Sequence, residues 1–195
     1  MPKARLRGAV RILATIAECA AAEGLPFLVI GGNAVIAYGF DRTTHDLDLL
    51  VLETDRRAWD TLITGLGYRA HQTARVFHMY NPVLGGLPPV DLMLVDASTF
   101  SKLVSTPHSC VLEEVPVSVP ALPHLIALKP HALRQGSRHR HARDFLDVVE
   151  LVQINHVNLA TPEYQEILQR YADDATRQKL AQTLPRSFGP ESPGV

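Results

Sequence analysis

Two short stretches decide the fold: Pro26-Phe27-Leu28-Val29-Ile30-Gly31-Gly32 and, after thirteen intervening residues, Asp46-Leu47-Asp48-Leu49-Leu50-Val51-Leu52. The first is a compact apolar run of strand type that stops at the glycine pair. Asn33–Tyr38 then reads as a short helix closed by Gly39. The second begins with alternating polar and apolar residues and becomes wholly apolar, the pattern of a strand whose first residues face solvent or a ligand. Residues i and i+2 of a strand share a face, so Asp46 and Asp48 are aimed at one point, about 4 Å to 7 Å apart. Like charges at ~4 Å repel by about 4 kcal/mol at an effective dielectric of 20. A divalent cation reverses the sign of that term, and oxygen-only ligands favour Mg²⁺ or Mn²⁺. The alternative is a solvated strand start. The glycines let backbone N–H groups approach a phosphate, and a helix start adds its positive end. Their alternative is a purely structural turn.

Working outward, Val90–Val95 is another apolar strand with one embedded carboxylate, Asp91, costly there unless paired or metal-bound. Its alternative is a solvent-facing residue on an amphipathic strand. Asp96 reads as a cap or turn residue. Between the acidic strands, Thr54 is expected to cap a helix running to about Leu66, followed by strands at Tyr68–Thr73 and Val76–Tyr80. Ser98–Leu103 suggests a helical turn, and Val115–Val119 a short final strand. On the N-terminal side, Leu13, Ile16, Ala17 and Ala20 continue a helical spacing begun at Leu6 and Val10, which predicts an amphipathic helix ending near Gly24. The region from Pro120 is helical. Pro130 is expected to kink or restart the helix opened at Leu122, Ala142–Ile154 forms another, and Thr161-Pro162-Glu163 starts a third. The fold class expected is α+β, with a mixed-sheet lobe over 1–119, a helical lobe over 120–184, and a Pro/Gly/Ser-rich disordered tail over 185–195.

The 195 residues carry a formal net charge of −1, with 46% hydrophobic and 20% charged side chains. That composition excludes disordered, collagenous and coiled-coil chains, and it lacks the global basic signature of a nucleic-acid binder. Cys19 and Cys110 have no zinc or disulfide spacing, which fits a reducing cytoplasm. Arg11 and Glu18 interrupt the N-terminal apolar run, so it is not read as a secretory signal, and no stretch approaches a membrane span. The one basic run, Lys129, His131, Arg134, Arg138, His139, Arg140, His141 and Arg143, suits a triphosphate, an RNA backbone or a solvated loop.

The order of strand, Gly-Gly, Asp-x-Asp and a third strand aspartate resembles the nucleotidyltransferase superfamily with the polymerase beta-like fold. Leu125–Lys129, followed by Arg143-Asp144-Phe145-Leu146-Asp147, looks like its minimal members of the AbiEii toxin type. The resemblance covers residues 25 to 155 and departs from the family at Pro130 and Arg143. It implies transfer of an NMP from an NTP to an acceptor hydroxyl. Gly31 and Gly32 would hold the NTP, Asp46 and Asp48 would bind two Mg²⁺ ions, and Asp91 would help activate the hydroxyl. Lys129 would contact the triphosphate, with Asp144 near the active site, and Arg42 is a candidate phosphate contact. For Lys129 an exposed helix cation is the alternative, and helix-dipole stabilisation is the favoured reading of Asp147. The acceptor implied is a tRNA 3′ end or other RNA, with a cognate antitoxin as possible partner. A small-molecule acceptor (an aminoglycoside or lincosamide) and a catalytically silent nucleotide-binding module are the alternatives.

Overall fold

The computed structural model describes residues 2–133 and 138–189, with side chains described for 12–129 and 142–189. The chain forms two compact units, Met1–Ala37 with Arg42–Pro120, and Tyr38–Asp41 with Ala121–Val195.

The first unit opens with helix α1 (Pro2–Glu23), which buries Ile12, Leu13, Ile16 and Ala20. It stops where Gly24 takes φ +67°, the left-handed cap that its sequence predicts. Strand β1 (Phe27–Val29) leads into α2 (Gly31–Ala37), β2 (Leu47–Leu52) and α3 (Arg56–Gly65). Strands β3 (Tyr68–Thr73), β4 (Phe77–Pro82) and β5 (Val90–Val95) complete a five-stranded mixed sheet of order β1-β2-β5-β4-β3. Within it only β2 and β5 run parallel. Leu49, Leu50, Val51, Leu92 and Leu94 are all but inaccessible, and each such burial contributes about 2 kcal/mol. Trp59 of α3 is fully buried and meets the Phe27 ring edge-on, with centroids 5.8 Å apart. Helix α4 (Ala97–Val104) is capped by Asp96, whose Oδ1 accepts from the Thr99 N–H at 2.8 Å.

Two local expectations change. The glycine pair does not precede the helix; α2 begins at Gly31 itself. Thr54 is not a cap: β2 ends in a 3₁₀ turn over Glu53–Asp55, and the Thr54 hydroxyl donates to Asp55 Oδ1 instead. Val115–Val119 is the final strand expected, β7. It pairs with β6 (His108–Leu112) in a separate hairpin whose tight turn places Glu113 and Glu114 at positive φ.

The second unit contains α5 (Leu122–Leu133), α6 (Arg138–Ile154), α7 (Pro162–Tyr171) and α8 (Asp174–Thr183). Leu125, Ile126, Val148, Leu151, Val152 and Leu180 form its core. Helix α5 does not restart at Pro130 but continues to Leu133. Proline costs about 3 kcal/mol inside a helix, and the packing of fully buried Leu125 and Ile126 offsets it. Helix α6 begins four residues before the expected start. Lys179 Nζ lies 4.1 Å above the Phe145 ring, tying α8 to α6. Part of the expected disordered tail is ordered: Pro185–Phe188 is a 3₁₀ turn whose Ser187 carbonyl accepts from the Leu159 N–H at 2.6 Å. Residues 190–195 of that tail, and most side chains of the basic run, lie outside the described residues. Among the described residues, no helix is long and apolar enough to cross a membrane.

Candidate active site

The carboxylates meet because of strand register. In the parallel β2–β5 pair, Asp48 stands directly opposite Asp91. Asp46 lies two positions ahead of Asp48, immediately before β2, and so projects to the same side. One oxygen from each of Asp46, Asp48 and Asp91 falls within 4.8 Å of the others. Asp91 is 7% exposed, and the other two are half-buried. A cluster of hard oxygen donors so close together is a set that can hold a divalent cation.

The surrounding chain holds this arrangement by short polar links. The Asn33 side-chain amide donates to the Asp46 carbonyl at 3.1 Å, and the Thr44 hydroxyl donates to Asp46 Oδ1 at 2.9 Å. The Ile30 N–H donates to the Asp48 carbonyl at 2.9 Å, stitching the β1–α2 corner to β2. Gly31 adopts φ +65°, and a Cβ built there would lie 1.9 Å from Asp48 Oδ2. The carboxylate therefore occupies the space that any side chain at 31 would need. At Gly32 the same construction meets Thr44 Oγ1 at 2.6 Å and Arg42 Nη2 at 3.0 Å. Gly31, Gly32 and Arg42 are thus brought to the acidic cluster, and the glycines are required sterically whatever else they bind.

Lys129 and Asp144 come together in the second unit. Lys129 is 7% exposed, which excludes the exposed-cation reading. Its Nζ donates to Asp144 Oδ1 at 3.2 Å and to Asp147 Oδ2 at 2.7 Å. Asp147 is 1% exposed and sits in the third turn of α6, because that helix starts at Arg138. The helix-dipole reading of Asp147 is therefore replaced by a buried ion pair. The Asp-x-x-Asp spacing signals a shared helix face, but not the lysine on the preceding helix. Asn33 and Thr44 are further positioning residues that spacing alone does not mark; the only local hint is a hydroxyl two residues before Asp46.

Residues 11–192 match the family described as "Nucleotidyl transferase AbiEii toxin, Type IV TA system". The chain belongs to the AbiEii family. It is accordingly a nucleotidyltransferase of a toxin–antitoxin family. No curated protein matches the sequence. Among solved structures, the antibiotic-resistance factor ANT(2'')-Ia superposes with a TM-score of 0.61 at 14% identity, covering 91% of this chain and 95% of that one. An antigenic nucleotidyltransferase-like protein from Paracoccidioides brasiliensis gives 0.54 at 18% identity, with 90% and 92% covered. The lincomycin-bound lincosamide adenylyltransferase LnuA also gives 0.54, at 10% identity, with 73% and 95% covered. At these identities the likeness shows the fold: the AbiEii chain has the nucleotidyltransferase architecture that its acidic strands imply.

Proposed function

We propose that the chain transfers an NMP from an NTP to a hydroxyl of an RNA acceptor, with a tRNA 3′ end favoured, in a reaction that needs Mg²⁺ or Mn²⁺. In the cell it would act as the toxin partner of a cognate antitoxin. The observation that carries this reading is the convergence of three carboxylate oxygens within 4.8 Å, beside a glycine pair with no room for side chains. Asp46, Asp48 and Asp91 are the residues that would hold the cation. Bound there, a divalent cation would offset the carboxylate charge and would supply electrostatic stabilisation of the phosphate oxygens.

The remaining chemistry falls to the chain. The acceptor oxygen attacks the α-phosphorus, a P–O bond forms, the bond to the bridging oxygen breaks, and pyrophosphate leaves with its electron pair. The hydroxyl proton passes to the Asp91 carboxylate. Asp91 is nearly inaccessible and fixed opposite Asp48 by the β2–β5 ladder, so the base is pre-positioned. Backbone N–H groups at Gly31 and Gly32, together with the Arg42 guanidinium, take the triphosphate. On the family resemblance, Lys129 is assigned a triphosphate contact and Asp144 a place beside it. The first unit is the catalytic lobe in this reading, and the helical unit a separate domain.

The test offers labelled NTPs in Mg²⁺ with total tRNA on one side and a panel of aminoglycosides and lincosamides on the other. Label on tRNA that EDTA abolishes is the expected result. Label on the drugs alone replaces the RNA acceptor with a small molecule. No label anywhere, with no NTP binding by calorimetry, makes the chain a silent module.

A further inference from the structure

The first unit contains a cavity of about 710 Å³ that the chemistry above does not use. Its size falls within the ~300–1,000 Å³ range of ligand pockets. Apolar walls come from Ile36 and Ala37 of α2, Leu87 and Pro88 of the loop before β5, and Val111 and Leu112 of β6. Asp46 lines it, so the cavity opens onto the acidic cluster. Gly31, Gly32 and Arg42 are not part of its wall. No lysine or arginine lines it among the described residues, and the carboxylates that do are Asp46 and Glu113. A triphosphate, or a run of RNA phosphates, finds no lysine or arginine to pair with there, His45 being the one basic side chain in the wall. Threonine hydroxyls at 43 and 44 and the Asn33 amide add hydrogen-bonding groups to an otherwise oily wall. Burial pushes the Glu113 carboxyl above its ordinary value.

A transfer reaction needs two places around one acidic cluster, and the phosphate-facing groups already occupy the glycine side. We infer that this cavity is the acceptor site, receiving the uncharged terminal nucleoside of the RNA while the RNA phosphates stay outside. Apolar walls cover the faces of the base, and the hydroxyls, the amide and Glu113 meet its polar edge. Asp46 marks the end at which the terminal ribose hydroxyl meets the reacting phosphate. This assignment rests on the RNA-acceptor reading above.

The experiment uses the full chain carrying Val111→Trp. Val111 is 68% exposed, so the bulkier side chain narrows the cavity without disturbing the core, which an unchanged thermal midpoint verifies. The KM for tRNA is expected to rise about tenfold or more, with the KM for NTP unchanged. Uncharged ribonucleosides are expected to inhibit competitively against tRNA and not against NTP. A raised KM for NTP with that for tRNA unaltered assigns the cavity to the nucleotide and overturns the inference. Two unaltered KM values overturn it as well. A wild-type chain that labels no RNA overturns the acceptor reading and this assignment together, whereas labelling that Val111→Trp leaves untouched defeats the assignment alone.

Discussion

The two units each gather carboxylates, and they do so by opposite means. In the first, three aspartates from neighbouring strand segments crowd within 4.8 Å of one another, like charge on like charge. In the second, Asp144 and Asp147 share the ammonium of Lys129, and the pair with Asp147 is almost wholly shielded from water. The first sets like charges side by side, an arrangement that a cation held by Asp46, Asp48 and Asp91 would favour on the function proposed above. The second carries its own cation, one ammonium for two carboxylates, although desolvation limits the net worth of the buried pair. Clustered carboxylates suit a cation from outside the chain, whereas the second cluster includes a cation of the chain's own.

The contrast is sharpest in Asp48→Ala. Transfer from labelled NTP is expected to fall by about three orders of magnitude or more, while the fold stays intact. A variant that retains full activity would remove the metal-site assignment and with it the difference between the clusters. Asp147→Ala probes the other side. Removing one partner of a buried pair costs about 3 kcal/mol, read as a lower urea midpoint, with binding of Mg²⁺ by the first unit unaffected. If the stability loss is negligible, the ion pair does not hold the second cluster together and the contrast fails. Gly31→Ala joins both effects at a smaller scale. The left-handed backbone conformation costs an alanine about 1 kcal/mol, and its Cβ must push the Asp48 carboxylate aside, so activity should fall further than stability. A fully active Gly31→Ala protein would show that the close approach is dispensable.

The mildest effect is at Asp96. Its carboxyl is held below the usual range, first by the Ser98 hydroxyl and then by the Thr99 N–H. A depressed folded-state value adds stability above the unfolded value and loses it as pH falls through the folded one. Asp96→Ala should therefore lower the thermal midpoint at neutral pH, and the gap from the parent should close in acid. A gap that persists at low pH would show that the carboxylate charge is not what caps α4.

The main sheet and the acidic triad were legible because both depend on local pattern. Apolar runs bounded by glycine fix β1, β2 and β5, and a period of two fixes the common aim of Asp46 and Asp48. Strand β6 was not, since His108-Ser109-Cys110-Val111-Leu112 alternates weakly and only Leu112 is buried. Asp147 was misread for a different reason. Its partner lies eighteen residues earlier on another helix, and helical spacing carries no information about what packs across from a face. The passage of α5 through Pro130 was hidden likewise, because buried Leu125 and Ile126 outweigh a local penalty that propensity alone makes decisive.

The pairing of Asp48 with Asp91 across two parallel strands has an evolutionary corollary. Deleting Met93 would leave the composition of β5 nearly unchanged, yet with Leu94 and Val95 held in register it would turn the Asp91 carboxylate to the far side of the sheet. Length changes in the exposed segment around Val83 and Leu84 carry no such penalty. Descendants of this chain are thus free to drift in the connection between the two strands but bound to conserve phase within them, and a chimera that splices β5 from a relative inherits activity only if it keeps count.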